Sequence, residues 1–284
     1  MRQVHLRIFA IGLCLAGFAG QVVAQSPGNK PWTVLQAGLA DKGDNRVVAV
    51  RVLGLLEKNS KAAKIATAAL SDNDADVRAA AASSLGQMHA KSSATKLEES
   101  VKAEQDPGVV MAEARALIAM GDDLGYAVYY AVLTGEKKSG EGLLDDQKKM
   151  LHDPKKMARF GFDQGIGYIP FASIGLGAIK VLTKDDSSPV RAAAARILGN
   201  DSDPKSAEAL ITASSDKSWV VQAAALDALS HRGDPSVIPQ IEPRLDDDKP
   251  AVRLTAAAAI IHLHDVQTHR ATSSTQRRGA APTP

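Results

Sequence analysis

Apolar and polar positions along the chain follow a helical period in six short segments. In residues 76–86, Val77, Ala81 and Leu85 are spaced four residues apart, so they fall on one face of a helix. Alanine fills most positions beside this stripe; it has the highest helix propensity and, being small, lets neighbouring helices approach closely. The pattern predicts helices that each bury a narrow apolar face against a neighbouring helix.

The same segment recurs along the chain with a nearly constant period. The frame V-R-x-x-A-A-x-x-L-G of residues 77–86 returns at 190–199, and a less complete form of it lies at 252–261. Aligned on the arginine position, the six copies fall at residues 46, 78, 110, 191, 222 and 253. Neighbouring copies are 31 or 32 residues apart, except across the step of 81 residues in the middle. This spacing predicts an array of helix pairs with modified sequence at its centre.

Each copy is predicted to be the second helix of a pair, with the first helix between the copies. Spaced apolar residues predict the first helices at 61–70, 92–102, 205–212 and 235–245. Aspartates of the preceding turns can cap the second helices: Asp44, Asp74, Asp216 and Asp248. Glycines at the ends of the copies suit helix termination: Gly54, Gly86 and Gly199.

The repeated frame resembles the HEAT repeat family, in particular the short bacterial HEAT-like repeats of the phycobilisome-lyase type. The resemblance covers roughly residues 32–265. It implies an all-α, armadillo-like α-solenoid, in which stacked antiparallel helix pairs form a single curved superhelix. It also implies scaffolding or partner recognition. A few members of the family assist chromophore attachment, but no residues here match a chromophore site.

Composition divides the chain into six predicted regions. They are a signal peptide at 1–24, a short linker at 25–30, N-terminal HEAT-like repeats at 31–120, a degenerate repeat with an aromatic and glycine-rich insertion at 121–186, C-terminal HEAT-like repeats at 187–265, and a disordered tail at 266–284. The tail contains three arginines, no acidic residue and little apolar surface, so burial would not offset the entropy of ordering it.

The first 24 residues have the features of a secretory signal peptide. Two arginines precede an apolar run at 8–20, and small residues at 22–24 suit a signal peptidase. We therefore expect export, cleavage near Ala24 and a periplasmic or secreted protein; an uncleaved N-terminal anchor is the alternative. The only cysteine, Cys14, lies in the apolar run. The mature chain would then contain no disulfide, thiol nucleophile or cysteine-ligated metal.

The charge balance argues against a nucleic-acid partner. The chain has 34 lysines and arginines, and two of them lie in the signal peptide, so the remainder equals the 32 acidic residues. Nucleic-acid binding requires a basic field that replaces condensed counterions. We expect no nucleic-acid binding.

Aromatic residues are concentrated in the degenerate central region. Seven of the nine aromatic residues after the signal peptide lie there: Tyr126, Tyr129, Tyr130, Phe160, Phe162, Tyr168 and Phe171. Aromatic side chains dominate the anchor positions of protein interfaces, so these seven are the candidate partner-binding residues. The alternative is that an irregular repeat leaves larger internal spaces, which aromatic side chains fill.

Four arginines recur at one repeat position and are interpreted as structural: Arg46, Arg78, Arg191 and Arg253. We expect them to pair with acidic turns of adjacent repeats. The alternative is a ladder of binding residues along the concave face.

The central region also permits a membrane-surface interpretation. Basic residues between 148 and 159 precede an uncharged stretch at 166–179, which is too short to span a bilayer and is interrupted by Pro170. A buried helix is our first interpretation of this stretch, and an interfacial membrane contact is the second.

No catalytic, cofactor or metal-binding motif is recognisable in the sequence. The glycines at 165 and 167 lack the third glycine and the preceding strand of a nucleotide-binding fingerprint. His262 and His264 are two residues apart and point to different sides of a helix. We therefore predict an exported scaffold that binds a protein partner, without a cofactor and without catalysis of its own. The alternatives are a peripheral membrane protein and an accessory factor or subunit of an enzyme.

Overall fold

The structure is a computed structural model that describes residues 30–134 and 187–279, with side chains described up to residues 133 and 273. Within these ranges every regular element is helical, which confirms the predicted all-α class. The α-helices are α1 (Lys30–Ala40), α2 (Asp44–Val52), α3 (Ser60–Ala69), α4 (Ala75–Gln87), α5 (Ala94–Ala103), α6 (Pro107–Met120), α7 (Leu124–Thr134), α8 (Ser188–Gly199), α9 (Pro204–Ala213), α10 (Trp219–Arg232), α11 (Ile238–Ile241) and α12 (Pro250–Gly279). Short 3-10 helices lie at Leu53–Leu55, Lys91–Ser93, Pro235–Val237 and Glu242–Asp246.

Polar side chains of the turns cap several helix starts. The Asp74 and Asp106 carboxylates precede α4 and α6 and accept hydrogen bonds from amides of the first helical turn. Asn59 and Asp203 do the same for α3 and α9. Asp44 and Asp216 depart from the prediction. Asp44 is itself the first residue of α2, and Asp216 accepts a hydrogen bond from the amide of Ser218, which precedes α10, rather than from an amide of the helix. The turns between helices therefore satisfy orphan amides locally, and the helix positions follow the predicted period.

The helices pair and stack as an α-solenoid. The second helices of consecutive repeats pack side by side, α2 on α4, α4 on α6, α8 on α10 and α10 on α12. Each first helix packs on the second helix of its own pair, as α3 does on α4, α5 on α6 and α9 on α10. Helix α7 follows as the first helix of the next unit and packs on α6.

The order of the repeats in space differs from their order along the chain. Helix α12, the last one, packs against α1 and α2, the first pair. An added Cβ at Gly38 of α1 would lie 2.5 Å from Leu254 Cδ2 of α12, so these helices are in intimate contact. Residues 254–261 of α12 are all buried, because α10 covers one side and the first pair covers the other. The described helices thus form one stack, with α8 and α7 at its two ends.

Gly86 and Gly199 lie at the ends of α4 and α8, as predicted, and they also allow close packing. An added Cβ at Gly86 would lie 2.9 Å from Ala116 Cα, and one at Gly199 would lie 3.0 Å from Ala228 Cβ. Neither glycine has a positive φ. The absence of a side chain lets α4 approach α6 and α8 approach α10, which agrees with the alanine-rich composition of these helices.

Helix α12 continues beyond its packed part into the region predicted as a disordered tail. It runs to Gly279, so residues 266–279 are helical. Extending an existing helix costs far less free energy than starting one, and the packed part of α12 supplies the start. The Arg270 side chain also donates a hydrogen bond of 2.9 Å to the carbonyl of Gly233, which ties the extension to the turn after α10.

Candidate partner-binding surfaces

Three large apolar side chains of α7 share one exposed face. Tyr126, Tyr130 and Leu133 are 63%, 65% and 85% exposed, and their spacing of four and three residues places them on one side of the helix. Among the described residues, only Ile197 and Trp219 are further large apolar side chains of comparable exposure. We call Tyr126, Tyr130 and Leu133 the α7 stripe. Leu133 was not among the predicted binding residues, although its spacing from the two tyrosines is visible in the sequence.

Tyr129 points the other way and packs into the stack. It is half-buried against the core, and its hydroxyl donates a hydrogen bond of 3.3 Å to the Met111 carbonyl. Gly125 allows this approach of α7 to α6, because an added Cβ there would lie 2.3 Å from the Ala114 carbonyl oxygen. The aromatics of α7 therefore divide between filling space and facing outwards. Four more candidates, which stay predictions, lie outside the described residues: Phe160, Phe162, Tyr168 and Phe171.

Three of the recurrent arginines bridge to the turn of the following repeat. The shortest nitrogen–oxygen distances are 2.7 Å for Arg46–Asp72, 2.7 Å for Arg78–Glu104 and 2.9 Å for Arg191–Asp216. Each carboxylate lies 25 or 26 residues after its arginine. Arg253 instead donates to the backbone carbonyl of Asp247. The structural interpretation of the four arginines stays a prediction, and these contacts are the ones that it expects for three of them.

The Arg78–Glu104 pair is the most enclosed of the three. Its side chains are 18% and 8% exposed, and two hydrogen bonds of 2.7 and 3.0 Å join the guanidinium to the carboxylate. Burial raises the pKa of Glu104, but hydrogen bonds from Arg78 and from two backbone amides outweigh it, so the pKa lies below its ordinary value. In the Arg191–Asp216 pair, the hydrogen bond from Arg191 is the main cause of the lowered pKa of Asp216.

A row of charged side chains crosses the second helices toward the contact between α12 and the first pair. Arg196 on α8 and Asp227 on α10 occupy the same repeat position and interact electrostatically. His231 on α10 lies with its Nδ1 3.7 Å from Asp227 Oδ1. Burial raises the pKa of Asp227, against the opposing effect of His231 and Arg196, and burial lowers the pKa of Arg196. Sequence reasoning missed this row, although the copies align these positions.

The row ends at an open cleft of about 700 Å³ between α12 and the turn that follows the Leu53–Leu55 helix. The turn contributes Glu57 and Lys58, and α12 contributes His262, Asp265, His269 and Arg270. We call the cleft that these six residues form, together with Val266 and Ser273, the junction cleft. At its edge, Asn59 Nδ2 donates a hydrogen bond of 2.8 Å to Asp265 Oδ2. The first and the last repeats along the sequence thus form this one cleft.

Two residues of the junction cleft are in unusual environments. The Nδ1 atom of His262 is buried and has no hydrogen-bond partner within the described residues. Burial lowers the pKa of His262, although the charges of Glu57 and Asp265 oppose this effect. Lys58 has a φ of 60°, in the left-handed region that L side chains rarely adopt. Perturbed groups and strained backbone are enriched at binding sites, which makes the cleft a candidate site.

The described residues contain neither a candidate metal site nor a candidate membrane span. No group of three or more histidine, aspartate or glutamate side chains in 30–134 and 187–279 is placed to hold a metal ion. No helix of the described part of the chain is long and apolar enough to cross a bilayer. The basic stretch at 148–159 and the uncharged stretch at 166–179, on which the membrane interpretation rests, lie outside the described residues.

Several solved structures are similar to this chain at low sequence identity. Human deoxyhypusine hydroxylase in complex with glycerol is 17% identical, with 84% of this chain and 97% of that chain covered and a TM-score of 0.33. The CpcE–CpcF complex of phycocyanin lyase from Nostoc sp. PCC7120 is 18% identical, with 92% and 99% covered and a TM-score of 0.32. A designed armadillo repeat protein is 14% identical, with 82% and 99% covered and a TM-score of 0.24. No curated protein sequence matches the chain.

The family model for HEAT repeats matches two regions, residues 33–118 and 176–261. Together they make up more than half of the chain, and within the described residues they coincide with the stacked helix pairs and with the recurrent arginine frame. The chain therefore belongs to the HEAT repeat family.

Proposed function

We propose that this protein is an exported scaffold that binds a protein partner through the α7 stripe, without catalysing a reaction itself. The observation that carries the proposal is the exposure of Tyr126, Tyr130 and Leu133 on one helix face at one end of the stack. Most other large apolar side chains of the described repeats are buried or half-buried. Exposed apolar side chains that form one contiguous face are typical of interaction sites.

The residue types of the α7 stripe suit an interface anchor. Each tyrosine can bury roughly 150–250 Å² of surface while its hydroxyl still makes a hydrogen bond. Tyrosine loses little conformational entropy on binding and is enriched among the residues that carry most of the binding free energy. Spacing of four and three residues offers a partner a continuous strip along one helix.

The stack supplies a rigid support for such an anchor. Enclosed ion pairs such as Arg78–Glu104 join successive repeats, and second helices approach closely at Gly86. A surface that is already ordered before binding loses less entropy when a partner docks. Localisation outside the cytoplasm is supported by the signal-peptide pattern of residues 1–24, with cleavage near Ala24.

Affinity capture tests this function directly. A polypeptide that begins at residue 25 is used as bait for the envelope proteins of its host, in soluble and detergent-solubilised fractions. The parent is compared with a Tyr126→Ala, Tyr130→Ala double variant, and we expect the double variant to lose the specific partner. An Ile197→Ala variant is the matched control, because Ile197 is 69% exposed at the other end of the stack.

Circular dichroism must show that all three proteins retain the same helix content and melting temperature. Equal capture by the parent and the double variant would contradict the proposal. If the chain itself covered the stripe, the double variant would melt several degrees lower while still capturing the partner. That result would assign the two tyrosines to the core instead.

A further inference from the structure

We propose that the junction cleft is a second binding site, which recognises a carboxylate group on an acidic peptide segment. This inference is independent of the α7 stripe, because the cleft lies where α12 meets the first helix pair and not at the α7 end of the stack. Its observational basis is a set of hydrogen-bond donors that two distant parts of the chain bring to one open cleft.

Two cationic side chains line the junction cleft. Lys58 from the turn and Arg270 from α12 supply an ammonium and a guanidinium, and Ser273 adds a hydroxyl one helical turn further along α12. Charged donors from Lys and Arg form the stronger class of hydrogen bonds to carboxylates. His262 and His269 contribute imidazole rings to the same lining.

The acidic residues of the cleft define the charge of its ligand. Asp265 already accepts a hydrogen bond from Asn59, and Glu57 lies close enough to His262 to affect its titration. These two carboxylates balance the charges of Lys58 and Arg270. A cleft with no net positive charge is a poor match for a phosphate group, which carries nearly two negative charges at neutral pH. A single carboxylate bound between the two cations fits this balance.

The backbone conformation of Lys58 also indicates that this residue has a role in binding. Four turns between consecutive repeats contain a residue with positive φ, and two of these residues are glycines, Gly121 and Gly233. The other two are Lys58 and His89, with φ values of 60° and 48°. Glycine would adopt this conformation without strain. A lysine at such a position therefore carries a conformational cost that glycine would not. We attribute the presence of lysine there to the binding role of its ammonium group at the cleft.

The test measures binding of a fluorescein-labelled eight-residue peptide of alternating glutamate and serine by fluorescence anisotropy. The same peptide with glutamine in place of glutamate is the reference ligand. We expect saturable binding of the acidic peptide with a Kd at or below about 1 mM, and no binding of the glutamine peptide. Lys58→Gly and Arg270→Gln should each weaken binding about ten-fold, since each removes a charged donor.

Glu57→Gln should change the affinity for the acidic peptide in the opposite direction. Removing a negative charge beside a bound carboxylate should strengthen binding about three-fold, whereas a cleft that binds cations would lose affinity. Two control variants should bind like the parent. His89→Gly makes the same backbone change in the next repeat, and Lys91→Ala removes an exposed lysine outside the cleft.

Lys58→Gly should melt at or above the parent's temperature, which separates a loss of binding from a loss of folding. His89→Gly also removes the 2.7 Å contact between His89 Nδ1 and the Ala119 carbonyl oxygen, so it serves as a control for binding and not for melting temperature. Weakening by the cleft variants alone, together with strengthening by Glu57→Gln, supports the proposal. Absence of acidic-peptide binding by the parent, or equal effects of cleft and control variants, overturns it. More effective competition by inorganic phosphate than by acetate at equal ionic strength would overturn the assignment to a carboxylate.

Discussion

Replacement of Arg78 by alanine should destabilise the protein more than the same change at the equivalent Arg46. Both arginines bridge to a carboxylate in the turn of the following repeat. They differ in enclosure, because the Arg78 and Glu104 side chains are 18% and 8% exposed, whereas those of the Arg46 pair are 35% and 15% exposed. Both arginines also donate to backbone carbonyls, Arg46 to Leu39 and Arg78 to Asp72 and Asn73, so the coupling to the carboxylate is measured separately below.

The size of the effect follows from what each substitution leaves behind. Breaking a buried ion pair leaves an uncompensated charge and typically costs about 3–5 kcal/mol. Glu104 would keep hydrogen bonds from the amides of Gln105 and Asp106, which places Arg78→Ala at the lower end, about 3 kcal/mol. For Arg46→Ala we expect about 1 kcal/mol, since its partly exposed pair is better screened by solvent.

Urea unfolding followed by circular dichroism measures both changes. The Glu104→Ala single variant and the Arg78→Ala, Glu104→Ala double variant complete a thermodynamic cycle. We expect a coupling free energy of about 2 kcal/mol between Arg78 and Glu104. Repeat arrays can unfold in more than one step. The free energy of the first transition is therefore compared between variants whose unfolding free energy has the same dependence on urea concentration. A cost for Arg78→Ala no larger than that for Arg46→Ala, or a coupling below about 0.5 kcal/mol, would refute the reasoning.

Three further predictions concern stability. The folded-state pKa of Glu104 lies below its unfolded value. The ionised carboxylate therefore contributes stability that is fully present above the unfolded pKa and is lost as pH falls through the folded pKa. In urea titrations at a series of pH values, the Glu104→Gln variant should lose less stability than the parent below about pH 4. Gly86→Ala should lower the free energy of unfolding by about 1 kcal/mol, because crowding against Ala116 outweighs the gain in helix propensity, and an unchanged urea midpoint would contradict the close packing. Gly121→Ala should cost about 1 kcal/mol in the same assay because alanine disfavours a φ of 82°, whereas Lys58→Gly should cost nothing; equal losses would refute this.

The repeat period predicted the helices well because each helix is defined by contacts that recur in every copy. Val77 and Leu85 of α4 are fully buried, as their spacing predicts. The first helices also lie within two residues of the predicted starts at 61 and 92. Local turn chemistry and a narrow apolar stripe are sufficient for this level of structure.

The contact between α12 and the first pair has no signature in the repeat period. It joins elements that are more than 200 residues apart, as the Asn59–Asp265 hydrogen bond shows. One signal was nevertheless present, since residues 254–261 are almost entirely apolar around the whole helix. A helix that is apolar on all sides must be covered on both sides. The junction cleft could not be predicted, because it exists only once this contact forms.

Proximity cross-linking shows directly whether the first and the last repeats pack against each other in one stack. A polypeptide that begins at residue 25 contains no native cysteine, so introduced pairs report without interference. We expect a short bismaleimide to link Asn59→Cys to Asp265→Cys within a monomer, and to leave an Asn59→Cys, Arg115→Cys pair unlinked. In a solenoid stacked strictly in chain order, residues 59 and 265 would be several helix spacings of about 10 Å apart. Absence of the 59–265 link in the folded monomer would contradict the account.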